Sequence, residues 1–157
     1  MSDKSDKSEK NRKNKKSRNN ILYNITDSEW NIMKVLWKKN AYTSGDKISL
    51  GDITDGLKPE ISWNTTTVRT FLARLAEKNI IVMEKTGRNY MYYAIAKETD
   101  CAIQEASSFL KRVFGGSPSL MFSALAENGD ISDEERQKLI KIIENMENMK
   151  NKGRDSK

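Results

Sequence analysis

Along most of this chain, apolar residues recur every three or four positions, the spacing of a helix with one buried face; in one short region they alternate instead. The first helical stretch opens at "TDSE", where Thr26 and Glu29 can form a capping box. Trp30, Met33 and Trp37 follow on one face, Ile32 and Leu36 widen it, and the helix is expected to end near Asn40. A second, short helix opens at Ser49 with Asp52 in the box position, carries Leu50, Ile53 and Leu57, and is stopped by Pro59. The third, in "WNTTTVRTFLARLAEKNII", is capped by Asn64 and buries Val68, Phe71, Leu72 and Leu75. The period then changes to two. "IIVMEK" and "YMYYAI" read as strands joined by "TGRN", a hairpin turn whose glycine suits a positive φ.

After residue 99 the helical period returns. Ile103, Ala106, Leu110 and Val113 share a face over residues 100–114, with Phe109 and Phe114 beside it, and Gly115-Gly116 breaks the helix. Ser117 caps the next helix with Pro118 at its first position, and a Ser132–Glu135 box opens the last. Leu139, Ile142, Ile143 and Met146 follow there at the seam spacing of packed helices. The pattern predicts a mostly α chain with a small β-hairpin. Residues 21–98 form an N-terminal winged helix-turn-helix and residues 99–149 a C-terminal helical region. Residues 1–20, whose one apolar side chain is Met1, and residues 150–157 are expected to be disordered tails.

Charge sharpens this division. Residues 1–20 carry eight Lys/Arg against three Asp/Glu and residues 21–98 eleven against nine, whereas residues 99–149 carry five against nine. Residues 150–157 are basic again, four against one, and this asymmetry suits a polyanion-binding front and a back that does something else. The basic tail reads equally as a phosphate-grazing arm or as a solvated tail. The chain has no histidine and one cysteine, Cys101, which removes histidine-based nucleophilic sites, intrachain disulfides and multi-cysteine metal sites. Cys101 itself reads as a small buried helix residue. No glycine-rich phosphate loop and no paired carboxylates stand out, so no enzyme activity, metal or cofactor is expected. No apolar run reaches the roughly 20 residues of a membrane span and no secretory signal opens the chain, so a cytoplasmic protein without membrane insertion is expected.

The candidate chemistry sits on the third helix. Thr65, Thr66 and Thr67 occupy its first turn although threonine is a mediocre helix former. On a helical wheel Thr66, Thr70, Ala73 and Glu77 point away from the buried stripe, and Arg69 and Arg74 flank them. A short, hydroxylated outer face edged by arginines fits a major groove. Threonine can bond base edges or phosphates or touch a thymine methyl, and arginine can fork onto a guanine or clamp the backbone. The plainer reading of the threonines is that they only cap the turn. Lys85 and Arg88 on the hairpin would lie along a phosphate strand, or simply mark a solvated tip.

At this point "ITDSEWNIMKVLW", "SWNTTTVRTFLARLAEKNII", "GRNYMYYAI" and "FGGSPSLMFSALAE" resemble the BlaI/MecI family of penicillinase and methicillin-resistance repressors, over roughly residues 25–146. The resemblance implies a homodimeric winged-helix repressor that binds double-stranded operator DNA with TACA/TGTA half-sites and controls a β-lactam resistance operon. By register it assigns DNA contact to Thr66, Arg69, Thr70 and Arg74, and dimerisation to the helices after residue 99, with Leu110, Leu139, Ile142, Ile143 and Met146 on their apolar faces. It further implies relief by proteolysis, with an inducer-activated protease or a membrane penicillin sensor as partner. The family's cut falls at an Asn-Phe bond; the matching pair here is Ser123-Ala124, next to Phe122. The paired C-terminal cysteines of the copper-responsive CopY branch are missing, so copper sensing is not expected. Two other readings fit the residues: a winged-helix module that binds a protein, or a repressor of an unrelated operon.

Overall fold

The computed structural model describes residues 22–154, which divide into two compact units, one ending at Glu105 and one beginning at Ala106. The first unit holds α1 (Asp27–Lys38), β1 (Ile48–Ser49), α2 (Leu50–Leu57), α3 (Thr65–Glu77), β2 (Ile81–Thr86) and β3 (Asn89–Ala94). It ends within α4 (Glu98–Phe114). The three strands form one antiparallel sheet in the order β1-β3-β2. Three helices and an antiparallel sheet in this order are a winged helix. The expected hairpin therefore gains a third strand: Ile48 and Ser49 pair with Tyr92 and Met91.

Local chemistry sets the helix ends. Thr26 accepts from the Glu29 amide and the Glu29 carboxylate accepts from the Thr26 amide; Ser49 and Asp52 repeat the exchange on α2. α1 and α3 both stop on an asparagine in the left-handed region, Asn40 at φ 54° and Asn79 at φ 58°. In each case the next residue donates five positions back, Ala41 to Leu36 and Ile80 to Leu75, which satisfies carbonyls that would otherwise lack partners.

The core lies where these elements meet. Ile32, Met33, Leu36, Ile53, Val68, Leu72 and Leu75 are fully buried, and Ile80, Ile81, Tyr92 and Ala94 close it from the sheet. Gly56 is required here, because a Cβ would lie 2.6 Å from Val35 Cγ1 where α2 crosses α1. Three long-range ties lock the frame. Trp37 Nε1 donates to the Ala96 carbonyl at 2.9 Å, and the Ala94 amide donates to the Ala41 carbonyl at 2.7 Å. Lys78 Nζ donates to Glu29 Oε2 and to the Asn24 carbonyl, both at 2.7 Å. This last tie joins the start of α1 to the end of α3. The first turns of α4 belong to this unit too, since Cys101 is buried and Gln104 Oε1 accepts from the Tyr23 amide at 2.9 Å.

The second unit holds the rest of α4, α5 (Pro118–Glu127) and α6 (Asp133–Arg154). Ser117 caps α5 with Pro118 in its first turn, and Ser132 Oγ accepts from the Glu135 amide at the start of α6. Neither α5 nor α6 contains a buried residue. Residues 150–157 are expected from the sequence to be a disordered tail, but α6 continues to Arg154, and residues 155–157 lie outside the described residues. Lys150 and Lys152 are good helix formers, and cations in the last turn suit the helix dipole. The expected N-terminal tail, residues 1–20, lies outside the described residues.

Candidate nucleic-acid interface

α3 begins at Thr65 because Asn64 Oδ1 accepts from the Thr67 amide at 2.8 Å. Its apolar stripe then fixes which side faces out. Val68, Leu72 and Leu75 go into the core and Phe71 is half-buried, which leaves Thr65, Thr66, Arg69, Thr70, Ala73 and Arg74 exposed. Thr67 is half-buried. Thr70 Oγ1 donates back to the Thr66 carbonyl at 3.1 Å, so these two threonines share one strip of helix surface.

The two arginines leave this strip on opposite flanks. Arg69, with Ala73, lines an open cleft of about 640 Å³ whose other wall is the wing, including Met83, Arg88, Tyr90 and Tyr92. Burial pushes the Tyr92 phenol up from its ordinary pKa, and the nearby Arg69 charge opposes that rise. Arg74 turns the other way, with its guanidinium carbon 5.8 Å from the centre of the Phe71 ring. Phe71 in turn meets Trp63, ring centres 5.1 Å apart at 40°.

The wing is the β2–β3 hairpin. Thr86 pairs with Asn89, so Gly87 and Arg88 form a two-residue turn, and Gly87 takes φ 64°. Lys85 and Arg88 are exposed. Strand alternation places Lys85, Met83, Tyr90 and Tyr92 on the sheet face turned to α3, and Glu84 on the other. There Glu84 accepts from Lys47 at 2.6 Å and from Ser44 at 2.7 Å, and these bonds hold its carboxyl below the usual glutamate pKa. The wing's one acid is thus occupied by Lys47, on the far side from Lys85. Among the ion pairs of the described residues, none involves Arg69, Arg74, Lys85 or Arg88. The outcome is a face with four uncompensated cations around a shallow threonine strip.

Burial pushes the Cys101 thiol up to about 11, so it stays neutral at physiological pH. Of the residues proposed for dimerisation, Leu110 and Leu139 are half-buried and Ile142, Ile143 and Met146 are exposed. Phe122, Ser123 and Ala124 sit mid-way along α5, Phe122 half-buried and the other two exposed. Sequence reasoning missed the Trp63–Phe71–Arg74 row and the Ser44–Lys47–Glu84 cluster. The three-residue spacing of Phe71 and Arg74 was a usable helical signal; the other contacts are long-range and leave none.

Residues 25–145 match the family described as penicillinase repressor. The penicillinase repressor of Bacillus licheniformis is 31% identical over 126 residues, covering 80% of this chain and 94% of that protein. The methicillin resistance regulatory protein MecI of Staphylococcus aureus (strain N315) is 27% identical over 125 residues, covering 80% and 97%. Among solved structures, the Bacillus licheniformis BlaI monomeric form in complex with the blaP half-operator is 30% identical. It covers 51% of this chain and 89% of that one, with a TM-score of 0.40.

Proposed function

The chain belongs to the penicillinase repressor family, and from that membership we propose that it is a DNA-binding transcriptional repressor of a β-lactam resistance operon. It acts in the cytoplasm, as a homodimer on a dyad operator. Among the described residues no helix is long and apolar enough to cross a membrane. Each protomer lays α3 in a major groove and its wing along the backbone. One observation carries this reading. The outward face of α3 is short at Thr66, Thr70 and Ala73 and hydroxylated at the two threonines, and it is ringed by Arg69, Arg74, Lys85 and Arg88, which have no ion-pair partner among the described residues. Short side chains let the helix sink to the base edges, and the cations displace counterions from phosphates. Exposed Thr65 and half-buried Thr67, at the helix start, would approach the DNA backbone.

Arg69 and Arg88 line one cleft between helix and wing, where a phosphate strand would pass; Arg74, on the opposite flank, is the stronger candidate for a base. Dimerisation through Leu110, Leu139, Ile142, Ile143 and Met146 covers the three that one chain leaves exposed, Ile142, Ile143 and Met146, and completes the burial of half-buried Leu110 and Leu139. Repression is relieved when an inducer-activated protease, answering a membrane penicillin sensor, cuts α5 around Phe122–Ala124 and detaches α6. The test is an electrophoretic shift on the DNA upstream of the chain's own gene. A discrete complex is expected, with log K falling by about 0.9 per phosphate contact for each tenfold rise in salt. Binding no tighter than to unrelated DNA would sink the reading.

A further inference from the structure

The two arginines that flank the recognition face are held differently. Arg69 faces the open cleft beside the wing. Arg74 lies over the Phe71 ring, 5.8 Å from its centre, three residues on along the same side of α3. Phe71 is no free surface ring: it packs against the core and meets Trp63 at 5.1 Å. Trp63 precedes the capping Asn64, so the row Trp63–Phe71–Arg74 runs from before the first turn of the helix to its last. A cation within about 6 Å of an aromatic centre is attracted to the ring's negative face. No carboxylate among the described residues pairs with Arg74, so the ring is its restraint.

We propose that Phe71, seated on Trp63, is a positioning residue for DNA recognition: it holds the Arg74 guanidinium pre-oriented on its flank of α3. The proposal rests on the operator-binding reading above. A free arginine loses much rotamer freedom when it docks, and a side chain restrained beforehand loses less. Phe71 therefore acts through Arg74. A purely structural phenylalanine would matter equally whatever residue stood at 74.

A double-mutant cycle of Phe71→Leu and Arg74→Ala in the full chain separates these roles, with a duplex of the gene's upstream DNA as probe. Phe71→Leu is expected to weaken binding about threefold, or about 0.7 kcal/mol at 1.4 kcal/mol per factor of ten. It should cause no further loss once Arg74→Ala is present, and Phe71→Tyr should bind like the unmodified chain. The same loss in both backgrounds overturns the proposal, as does an Arg74→Ala variant that binds normally. The repressor reading survives either result, because the unmodified chain still binds. An unmodified chain that does not bind the duplex overturns that reading itself and the proposal with it. A second measurement needs neither DNA nor a variant. The Arg74 δ-protons should be shifted upfield by the Phe71 ring current, and random-coil shifts there would overturn the proposal.

Discussion

The two units of this chain stand in opposite relation to water. Every buried apolar residue among those described lies at or before Cys101, in the first unit. In the second, Leu120, Ile142, Ile143, Met146 and Met149 are each more than half exposed. The first unit has its own core and can hold the proposed DNA-reading face still. The second consists of amphipathic helices that cover their apolar sides only in part: Leu110, Phe122 and Leu139 are half-buried, and no residue of α5 or α6 is fully buried. Each large apolar side chain left in water forgoes about 1.5–3 kcal/mol of burial. On the proposed homodimer reading a second copy supplies the cover, and the second unit is then where a single cut should do most to operator binding.

The largest expected effect follows from removing that half. A fragment ending at Ser123 should keep the fold of the first unit but sediment as a monomer or weak dimer. Its operator affinity should fall by about 10²–10⁴, the avidity lost when the two half-sites are no longer joined. A fragment that dimerises and binds like the full chain would break the comparison. Next in size is the core itself. Leu72→Ala, at a fully buried site, should cost about 2–5 kcal/mol and lower the melting temperature at every protein concentration. Ile143→Ala, by contrast, should raise the dimer dissociation constant, seen by sedimentation as a shift to monomer on dilution. If Ile143→Ala leaves dimerisation untouched, the seam has been placed on the wrong residues.

Smaller effects separate the DNA face from the frame beneath it. Arg69→Ala and Arg74→Ala should each weaken operator binding by about 1–3 kcal/mol without changing oligomeric state or melting temperature. The Arg69 loss should be uniform across sequences and the Arg74 loss specific to one position; identical sequence profiles for the two would erase the distinction between flanks. Thr66→Ala should cost less than either. Glu29 reports on the frame. Burial opposes its ionisation, but the bond from Lys78 and those from Thr26 outweigh it and hold its pKa below the ordinary glutamate value. A carboxylate lowered on folding adds stability above its unfolded pKa and loses it as pH falls through the folded one. Denaturant melts should therefore show stability falling below about pH 4.5, and Glu29→Gln should cost about 1–3 kcal/mol at pH 7 and flatten that fall. An unchanged acid limb would mean that the tie between α1 and α3 contributes nothing.

What the sequence determined on its own was local. The caps at Thr26, Ser49, Asn64 and Ser117 are readable because a capping oxygen and its amide lie three residues apart. The hairpin was readable because Gly87 marks a two-residue turn between alternating runs. The outward threonine-arginine face followed from the 3.6-residue period once Val68, Leu72 and Leu75 were assigned to the core. Residues far apart in the chain were decided by tertiary structure. β1 is only Ile48–Ser49, too short to show a period, and it exists because Tyr92 and Met91 offer it a free edge. The partnering of Glu29 with Lys78, and of Glu84 with Ser44 and Lys47, leaves no trace in spacing, because a long-range ion pair needs only that folding bring the two groups together. The same holds for the flanks of α3. Periodicity placed Arg69 and Arg74 beside the exposed strip, but the packing of the wing on one side and of Trp63 on the other decided that one faces a cleft and the other rests on a ring.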